Sequence, residues 1–409
     1  MAVGKQVRFV CAGIGGYAWS IAQQMMGVAE SESPEIRLAA MCDPNLDQFA
    51  ERIAKLSARG INTYRTFEEM LAREPADAAW LPLPIHLHRP FTEQALAAGK
   101  HVVTEKPAAG SLQDVDAMIG ARDRAGKAVL VGFQDIYARP TAPAKQAVLN
   151  GQLGKVTHAT VCAGWPRDLS YFSRNEWAGA IAMNGVWVLD SPLQNAISHY
   201  LNLALFLLGP QPLVSATPEA VEAELYRAND IDNYDTCALR LTLPGGVKLV
   251  VFLTHAVSNQ TDATVVLHGT EGSLTVNSGG YQIAGKQPFA WPADDIKHAN
   301  MIRTIARHIR GEPVDGALAT LEMARLHTQI VNGVSEASPV VDFDRAHVSA
   351  AAYTQNGTVM KAVCGLEEVM LRCVAEQKLP SELGDISWSK PGGSKDLRNY
   401  NAFAGPKTL

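Results

Sequence analysis

The sequence predicts an α/β protein with two domains: a doubly wound parallel sheet, followed by a second α/β domain with a large, open antiparallel sheet. Three observations support this prediction. From residue 7 to residue 132, short apolar runs alternate with helix-period segments, which is typical of β-α-β units. After residue 151, longer strand-like runs are joined by tight turns, as in antiparallel hairpins. The length of 409 residues also suits two domains rather than one.

Five strands are predicted in the first region. Each is a short run of β-branched or apolar residues, and helix-period sequence separates one run from the next. The runs are VRFVCA (7–12), IRLAAMC (36–42), AAWLPL (78–83), HVVT (101–104) and AVLVG (128–132). Because a helix follows each strand, we expect the strands to pair in parallel.

The second region carries the hairpin pattern, and the change of pattern predicts a domain boundary near residue 135. Helices are predicted over 192–208, around 318–335 and over 366–377. The strand-like segments are KVTHATVCAG, TCALRLTL with PGG and VKLVVFLTHAV, and ATVVLHGTEGSLTV. An open sheet without helices on both faces leaves apolar surface to cover, so we expect a homodimer or homotetramer.

Composition excludes several classes of protein. The net charge is -5, from 36 basic and 41 acidic residues without long runs of one sign, which argues against nucleic acid as a partner. The apolar stretch Leu203–Leu208 is too short to cross a membrane, and no secretion signal is visible before Val7. The six cysteines form no Cys-x-x-Cys pair, which suggests reduced thiols. We therefore expect a soluble, cytoplasmic protein.

A nucleotide site is predicted directly after the first strand. The loop GIGGYA at 13–18 has the form G-x-G-x-x-A and opens a helix, an arrangement that holds a pyrophosphate at a helix N-terminus. Asp43 ends the second strand, where a carboxylate accepts hydrogen bonds from the adenosine ribose and repels a 2′-phosphate. A turn role for Asp43 before Pro44 stays open beside this one. The sequence thus predicts a Rossmann domain that prefers NAD to NADP, bound by Gly13, Ile14, Gly15, Gly16, Tyr17 and Asp43.

Three further motifs carry a resemblance to a known family. LPIHLH at 83–88, AAGKHVV at 97–103 and EKP at 105–107 follow the glycine loop in this order, and the pattern resembles the Gfo/Idh/MocA family of nicotinamide-dependent oxidoreductases. The resemblance implies that Lys106 is catalytic and lies near the nicotinamide, and that sugars, cyclitols or related polyols are the substrates. It also assigns Pro84, His88 and Glu105 to the cofactor site. It implies a dinucleotide-binding domain, predicted over 1–135, followed by a substrate-binding and oligomerisation domain, predicted over 136–345. The Gly/Pro/Lys-rich tail predicts an extension (346–409) that packs on the domains and has a flexible end.

The chemistry of Lys106 follows from its position. Pro107 favours an extended backbone at Lys106, so the side chain can project from the carboxyl edge of the sheet, where ligands bind in such folds. A partly desolvated ammonium there can stabilise alkoxide character on a substrate oxygen as hydride leaves. The alternative is an exposed lysine paired with Glu105.

The helix predicted over 192–208 carries a second group of candidates. Ser191 is predicted to cap it, and Asn195 and His199 then lie four residues apart on one face. The family pattern at this place is D-x-x-x-H-x-x-D, which His199 matches, whereas Asn195 and Asn202 depart from it. We therefore expect His199 to act alone as acid/base, with Asn195 orienting the substrate. Asp190 is a possible substitute carboxylate, although helix capping is its expected role. The alternative for His199 is a buried core histidine.

Other polar and aromatic residues are weaker candidates. Trp165, Arg167, Trp187 and His255 are candidates for the substrate cleft, since aromatic and cationic groups suit sugar faces and hydroxyls; ordinary core or surface roles stay open for each. The pair His86 and His88 has no third ligand at a suitable spacing, so no metal site is expected.

The function predicted from the sequence is hydride transfer between NAD(H) and a secondary hydroxyl or ketone of a sugar, cyclitol or related polyol. Two alternatives stay open. One is redox-neutral elimination or epimerisation on a sugar with tightly held NAD. This alternative gains weight because position 195 is asparagine where the family pattern has aspartate. The other is a dinucleotide sensor without catalysis, against which the presence of both Lys106 and His199 argues.

Overall fold

The computed structural model describes residues 6–32, 34–286, 289–290, 296–352 and 358–408. They divide into two compact units. The first comprises 1–109, 114–141 and 292–325, and the second comprises 110–113, 142–291 and 326–409. The sequence prediction had placed 292–325 in the second domain. The difference arises because residues 296–325 contain an amphipathic helix. The spacing of its apolar residues predicts a helix but not the unit on which it packs.

The first unit is built on a six-stranded parallel sheet in the order β3-β2-β1-β4-β5-β6. Helices cover both faces of such a sheet, which explains why strands such as β1 and β4 are almost wholly buried. The predicted strands are confirmed, and a short, partly exposed sixth one was missed. The strands are β1 (Val7–Ala12), β2 (Ile36–Cys42), β3 (Asn62–Tyr64), β4 (Ala78–Leu81), β5 (His101–Thr104) and β6 (Val129–Val131).

Eleven helices are found among the described residues, in addition to short 3-10 and π turns. Helix α9 packs on α1 of the first unit, and its buried residues include Met301, Ile302 and Ile305. The helices are α1 (Gly16–Ala29), α2 (Ala50–Ser57), α3 (Phe67–Arg73), α4 (His88–Ala97), α5 (Leu112–Ala125), α6 (Thr141–Leu149), α7 (Leu169–Phe172), α8 (Ser198–Leu208), α9 (Lys297–Ile309), α10 (Leu321–Ala337) and α11 (Leu366–Glu376).

The second unit contains a ten-stranded sheet with the path β16-β15-β14-β13-β7-β12-β11-β10-β17, and β20 also pairs with β10. Most pairs are antiparallel, as predicted, but β7–β12 and β10–β17 are parallel. Two further pairs, β8 with β9 and β18 with β19, form separate two-stranded sheets. The strands after β6 are β7 (Val156–Gly164), β8 (Ala182–Met183), β9 (Val186–Trp187), β10 (Ala220–Arg227), β11 (Thr236–Thr242), β12 (Lys248–Thr254), β13 (Thr261–Gly269), β14 (Ser273–Asn277), β15 (Gly280–Ile283), β16 (Phe289–Ala290), β17 (Val340–Asp342), β18 (Val348–Ala352), β19 (Val359–Val363) and β20 (Gly393–Asp396).

Two helices pack on the central strands of this sheet, so less of its apolar surface is uncovered than the sequence predicted. Helix α8 packs on β7 and β13. Helix α11 packs on β7 and β12, where Leu366 and Met370 join Cys162 and Phe252 in one buried cluster. The segment after residue 346 therefore covers part of the apolar surface that the sequence analysis had reserved for a second subunit.

The C-terminal extension differs from its predicted flexible end. Its helix is confirmed as α11, but the Gly/Pro/Lys-rich stretch after it forms β20 against β10. Leu397 is fully buried, and Phe403 is nearly so. Apolar side chains spaced through a polar stretch thus anchor it to the second unit.

No helix in the described part of the chain is long and apolar enough to span a membrane. All six cysteines are free thiols, and only Cys364 is exposed.

Candidate active site

The loop after β1 has the backbone that its glycines predict. Gly13 has φ +96° and Gly16 has φ +43°, both in the left-handed region that favours glycine. The Gly13 N–H donates to the Cys42 carbonyl at 2.7 Å, which ties the loop to the end of β2. A Cβ at Gly16 would meet nothing within 4 Å, so the space beside this amide is open. An open cradle at the N-terminus of α1, where amide donors lack helical partners, fits a dinucleotide pyrophosphate.

Asp43 combines the two roles that the sequence left open. Its Oδ2 accepts a hydrogen bond from the Ile14 N–H, and its Oδ1 accepts one from the Asn45 N–H, both at 2.9 Å. These contacts hold the carboxylate beside the glycine loop in a turn. A carboxylate has about four acceptor positions, so two remain for ribose hydroxyls.

Arg52 is a neighbour of this loop that the sequence reading missed. Its Nη1 donates to the Ile14 carbonyl at 2.6 Å, and its guanidinium lies 5.2 Å from the Trp19 ring centroid and 5.3 Å from that of Phe49. A second cation, Arg65, lies near the turn after Asp43 and pairs with Asp47. The sequence carried no signal for Arg52 or Arg65, because neither belongs to a motif with a fixed spacing from the glycine loop.

Glu105 and His88, both assigned to the cofactor by resemblance, have hydrogen-bond partners within the protein. Glu105 is enclosed, and its Oε1 accepts a hydrogen bond from the Trp80 indole at 3.1 Å. The two ring nitrogens of His88 lie 2.8 Å from the carbonyl oxygens of Leu83 and Pro107. His88 thus links the turn after β4 to the EKP segment after β5. Glu105 and His88 are both buried and support these segments from within the first unit.

Lys106, Pro84 and Tyr17 lie around the same edge of the sheet. Lys106 directly follows β5, Pro84 follows β4, and Tyr17 is in the first turn of α1. Tyr17 is 44% exposed, and its hydroxyl lies 3.0 Å from Nε2 of His298. Because β1, β4 and β5 are neighbours, the glycine loop, the turn with Pro84 and Lys106 meet at the carboxyl ends of adjacent strands.

The predicted helix over 192–208 is interrupted. Residues 192–196 form a π turn, in which the Ile197 N–H donates to the Pro192 carbonyl at 2.9 Å, and α8 begins at Ser198. Ser191 caps this turn as predicted, since its hydroxyl accepts from the Gln194 N–H. Asn195 therefore lies in the π turn, and His199 lies in the first turn of α8. π turns are frequent at functional sites.

Asp190 holds Asn195 rather than capping the helix. The Asn195 Nδ2 donates to Asp190 Oδ1 at 2.7 Å, and the Gly179 N–H donates to Asp190 Oδ2 at 2.7 Å. Arg174 lies 3.9 Å from the same carboxylate. Asp190 is 3% exposed and His199 is 9% exposed. The carboxylate that is absent at position 195 is thus present one contact away.

An aromatic and cationic wall adjoins α8, and it contains three of the predicted substrate candidates. The Trp165 ring meets the Tyr200 ring edge-on, with 6.0 Å between centroids. Nδ1 of His255 donates to the Trp165 carbonyl at 2.8 Å. Burial and the nearby Arg167 guanidinium lower the pKa of His255 to about 3, so its ring is neutral.

The fourth substrate candidate, Trp187, packs against the C-terminal extension. Its ring contacts the Phe403 ring, with 5.2 Å between centroids, and it lies against Gly405. Trp187 is thus a docking point for the C-terminal extension within the second unit. Among the described residues, no cluster of three His, Cys, Asp or Glu side chains is arranged to hold a metal.

A six-stranded parallel sheet with a glycine loop after its first strand and an acid after its second defines a Rossmann-type dinucleotide-binding protein. Residues 7–133 match the sequence model described as "Oxidoreductase family, NAD-binding Rossmann fold", and residues 141–275 match "GFO/IDH/MocA C-terminal domain". The chain belongs to the Gfo/Idh/MocA oxidoreductase family. The predictions of this family, of its fold and of NAD as cofactor are confirmed.

Curated relatives agree on the enzyme class. The chain is 25% identical over 288 residues to "dTDP-3,4-didehydro-2,6-dideoxy-alpha-D-glucose 3-reductase" of Streptomyces violaceoruber, covering 69% of this chain and 77% of the relative. It is 24% identical over 274 residues to "Inositol 2-dehydrogenase" of Rhizobium meliloti, covering 66% and 76%. The protein is thus a dehydrogenase or reductase that acts on CH–OH groups with a nicotinamide cofactor, as predicted.

Solved structures share the fold. The WlbA dehydrogenase from Bordetella pertussis, solved in complex with NADH and UDP-GlcNAcA, has a TM-score of 0.66 and 23% sequence identity, covering 81% of this chain and 95% of that one. Aldose-aldose oxidoreductase from Caulobacter crescentus has a TM-score of 0.65 at 21% identity, covering 81% and 96%.

Proposed function

We propose that this protein transfers hydride between NAD(H) and a secondary hydroxyl or ketone of a sugar, cyclitol or related polyol. One observation carries the proposal: strand order brings the glycine loop after β1 and Lys106 after β5 to one edge of the parallel sheet. Ligands bind at this edge in doubly wound folds. The names of the reductase and the inositol dehydrogenase support the choice of substrate class.

The cofactor is proposed to bind through the loop 13–17 and Asp43. The amides at the start of α1 hold the pyrophosphate, and Asp43 accepts hydrogen bonds from the adenosine ribose. Bound NAD supplies the acceptor for the hydride that leaves the substrate carbon. A substrate CH–OH then becomes C=O, with one hydride passing to the cofactor and one proton passing to the protein.

The proton is proposed to pass to His199, and Lys106 stabilises the reacting oxygen. A positively charged ammonium opposes the charge that develops on that oxygen as hydride leaves. Asn195 is proposed to orient the substrate by hydrogen bonds. Its Nδ2 donates to Asp190, which holds the amide in place.

The homodimer or homotetramer stays a prediction. Since α11 covers the sheet around β7 and β12, we propose that subunits meet over the neighbouring strands β13 to β15. Val266, Thr275 and Gln282 on these strands are partly or fully exposed.

Incubating the protein with NAD and a panel of sugars, cyclitols and polyols tests this function. We expect reduced-nicotinamide absorbance to rise in proportion to the ketone formed. Substrate turnover without any net change in that absorbance would indicate redox-neutral chemistry instead. Tight NADH binding without turnover of any panel member would favour a sensor.

A further inference from the structure

Arg167 is held in a rigid extension of the central sheet. The Trp165 N–H donates to the Thr254 carbonyl at 2.9 Å, and the Arg167 N–H donates to the His255 carbonyl at 3.2 Å. These bonds continue the pairing of β7 with β12 beyond the last registered pair of the two strands. The His255 ring adds its bond to the Trp165 carbonyl, so the base of the Arg167 side chain has a fixed place.

The guanidinium of Arg167 lies among aromatic rings with most of its donors unused. Its central carbon is 4.7 Å from the Tyr171 ring centroid and 5.9 Å from that of Trp165. Nη1 donates to the Pro166 carbonyl at a long 3.3 Å, and the Tyr171 side chain accepts a second hydrogen bond from this guanidinium. Nε is shielded from solvent and makes no hydrogen bond to any residue that the structure describes. A guanidinium has five N–H donors, so a partner is missing.

No acid in the described part of the chain balances this charge, because the nearby carboxylates are committed elsewhere. Asp168 caps α7 and accepts from Tyr171 N–H at 3.0 Å. Asp190 holds Asn195 and faces Arg174. No described carboxylate lies within ion-pair distance of Arg167, and the buried His255 ring is neutral. A partly buried cation with unmet donors is costly unless an anion joins it.

The wall that holds Arg167 is continuous with the helix that carries His199. Trp165 contacts Tyr200, which follows His199 in α8. A molecule bound against Trp165 would therefore lie beside the first turn of α8. An anionic group at Arg167 and a hydroxyl near His199 can accordingly belong to one sugar-sized ligand.

We propose that Arg167 binds a carboxylate of the substrate, so that the substrate is a sugar acid, such as a uronic or aldonic acid. This rests on the proposed function, since it adds one group to the same substrate. The planar fork of arginine matches the two oxygens of a carboxylate. Arg174 already faces Asp190, so one unbalanced guanidinium remains, which favours a single negative charge over a phosphate dianion.

Matched pairs of substrates test the proposal: D-glucuronate against D-glucose, D-galacturonate against D-galactose, and D-gluconate against D-glucitol, with D-glucose 6-phosphate added. For wild type we expect kcat/KM to favour the acid by at least about tenfold. Arg167→Gln should lower kcat/KM for the acid by about 30-fold or more and lower it much less for the neutral partner, so that the preference for the acid is lost. Arg167→Lys should restore part of the loss, since it keeps the charge but not the fork.

Arg372→Gln is the matched control, because this arginine lies on α11 in a surface ion pair with Asp385. It should change neither member of a pair. Melting temperature and NADH affinity, measured for each variant, separate a folding defect from a loss of binding. Equal turnover of acid and neutral sugar by wild type, equal losses for both in Arg167→Gln, or a preference for the phosphate would overturn the proposal.

Calorimetric titration with D-glucuronate, D-galacturonate and D-gluconate in the presence of NADH gives a readout that does not depend on turnover. Binding that is lost in Arg167→Gln and kept in Arg372→Gln supports the proposal even if no NADH forms, in which case the proposed function alone fails. Absence of binding of all three acids, with neutral sugars still oxidised, overturns the role of Arg167 and leaves the dehydrogenase assignment intact.

Discussion

Glu105 and Trp80 form a hydrogen bond inside the first unit, in which the indole Nε1 donates to Oε1 at 3.1 Å. A Cβ at Gly132 would clash with this carboxylate, so only glycine leaves room for it. Oε2 makes no hydrogen bond to a described residue. Burial raises the pKa of Glu105 to about 7, against the opposing effects of Trp80 and of the neighbouring Lys106. An acid that titrates near neutrality thus lies next to the proposed catalytic lysine.

This burial predicts a pH-dependent stability. The folded protein holds the Glu105 proton more tightly than the unfolded chain, whose pKa is 4.5. The stabilising contribution is therefore complete below about pH 4.5 and is lost as the pH rises through 7, amounting to about 3 kcal/mol. Glu105→Gln mimics the protonated acid, so its unfolding free energy should rise relative to wild type by about 2–3 kcal/mol between pH 5 and pH 8. Urea unfolding at both pH values measures this, and the exposed Glu68→Gln is the control. Parallel pH curves for Glu105→Gln and wild type would show that the carboxyl stays ionised in the fold.

Asn195→Asp should not restore the family pattern. The new carboxylate would face Asp190 across the present 2.7 Å contact, and two carboxylates that close cannot both ionise. We expect turnover to fall at least tenfold at neutral pH and a new titration to appear in its pH profile. The double variant Asp190→Asn with Asn195→Asp exchanges the two groups and should recover activity above either single variant. A single Asn195→Asp variant as active as wild type would separate Asn195 from the reaction.

Asp43→Asn should weaken the discrimination between NAD and NADP. The amide keeps one acceptor oxygen for the turn but loses the charge that repels a 2′-phosphate, while Arg52 and Arg65 remain nearby. We expect the ratio of the NADPH and NADH dissociation constants to fall about tenfold, equivalent to about 1.4 kcal/mol. Fluorescence titration with both cofactors measures it, and Glu51→Gln, exposed at the start of α2, is the control. A stronger affinity of wild type for NADPH than for NADH would refute the assigned role of Asp43.

Lys145→Met should destabilise the second unit. The buried ammonium donates to the carbonyl oxygens of Phe206 at 2.6 Å and of Gly209 at 2.5 Å, at the C-terminal end of α8. Removing it leaves buried carbonyls without donors, at about 1–3 kcal/mol each. We expect the unfolding free energy to drop by about 2–5 kcal/mol, whereas Lys155→Met at an exposed site should change it by less than about 0.5 kcal/mol. A small loss for Lys145→Met would mean that water or a shift of α6 replaces the ammonium.

The sequence could predict elements whose signal is local. The bounds of β1, β2 and β5 could be predicted from apolar runs between turn residues. The glycine loop could be predicted because few other structures need glycines at this spacing after a strand. Ser191 was correctly predicted as a cap, because capping depends on residues only three apart.

Features that depend on contacts between distant parts of the chain could not be predicted from the sequence. The parallel pairing of β7 with β12 joins segments ninety residues apart, and Asp190, Asn195 and His199 lie between them in the chain. Asp190 was expected to cap a helix because it precedes Ser191. Instead it accepts a hydrogen bond from the N–H of Gly179, on the other side of the hairpin that β8 and β9 form. The cofactor roles of Glu105 and His88 stay predictions, because a motif does not reveal which way a side chain points.

The central claim is that Lys106 stabilises the reacting oxygen during hydride transfer. Single-turnover formation of NADH by Lys106→Met, measured with a substrate identified from the panel, tests this claim most directly. We expect the hydride-transfer rate to fall by about 10²–10³, as for the loss of one preorganised charge at a developing oxyanion, while the dissociation constant for NADH stays within about threefold of wild type. A variant that retains more than half of the wild-type rate would contradict the account.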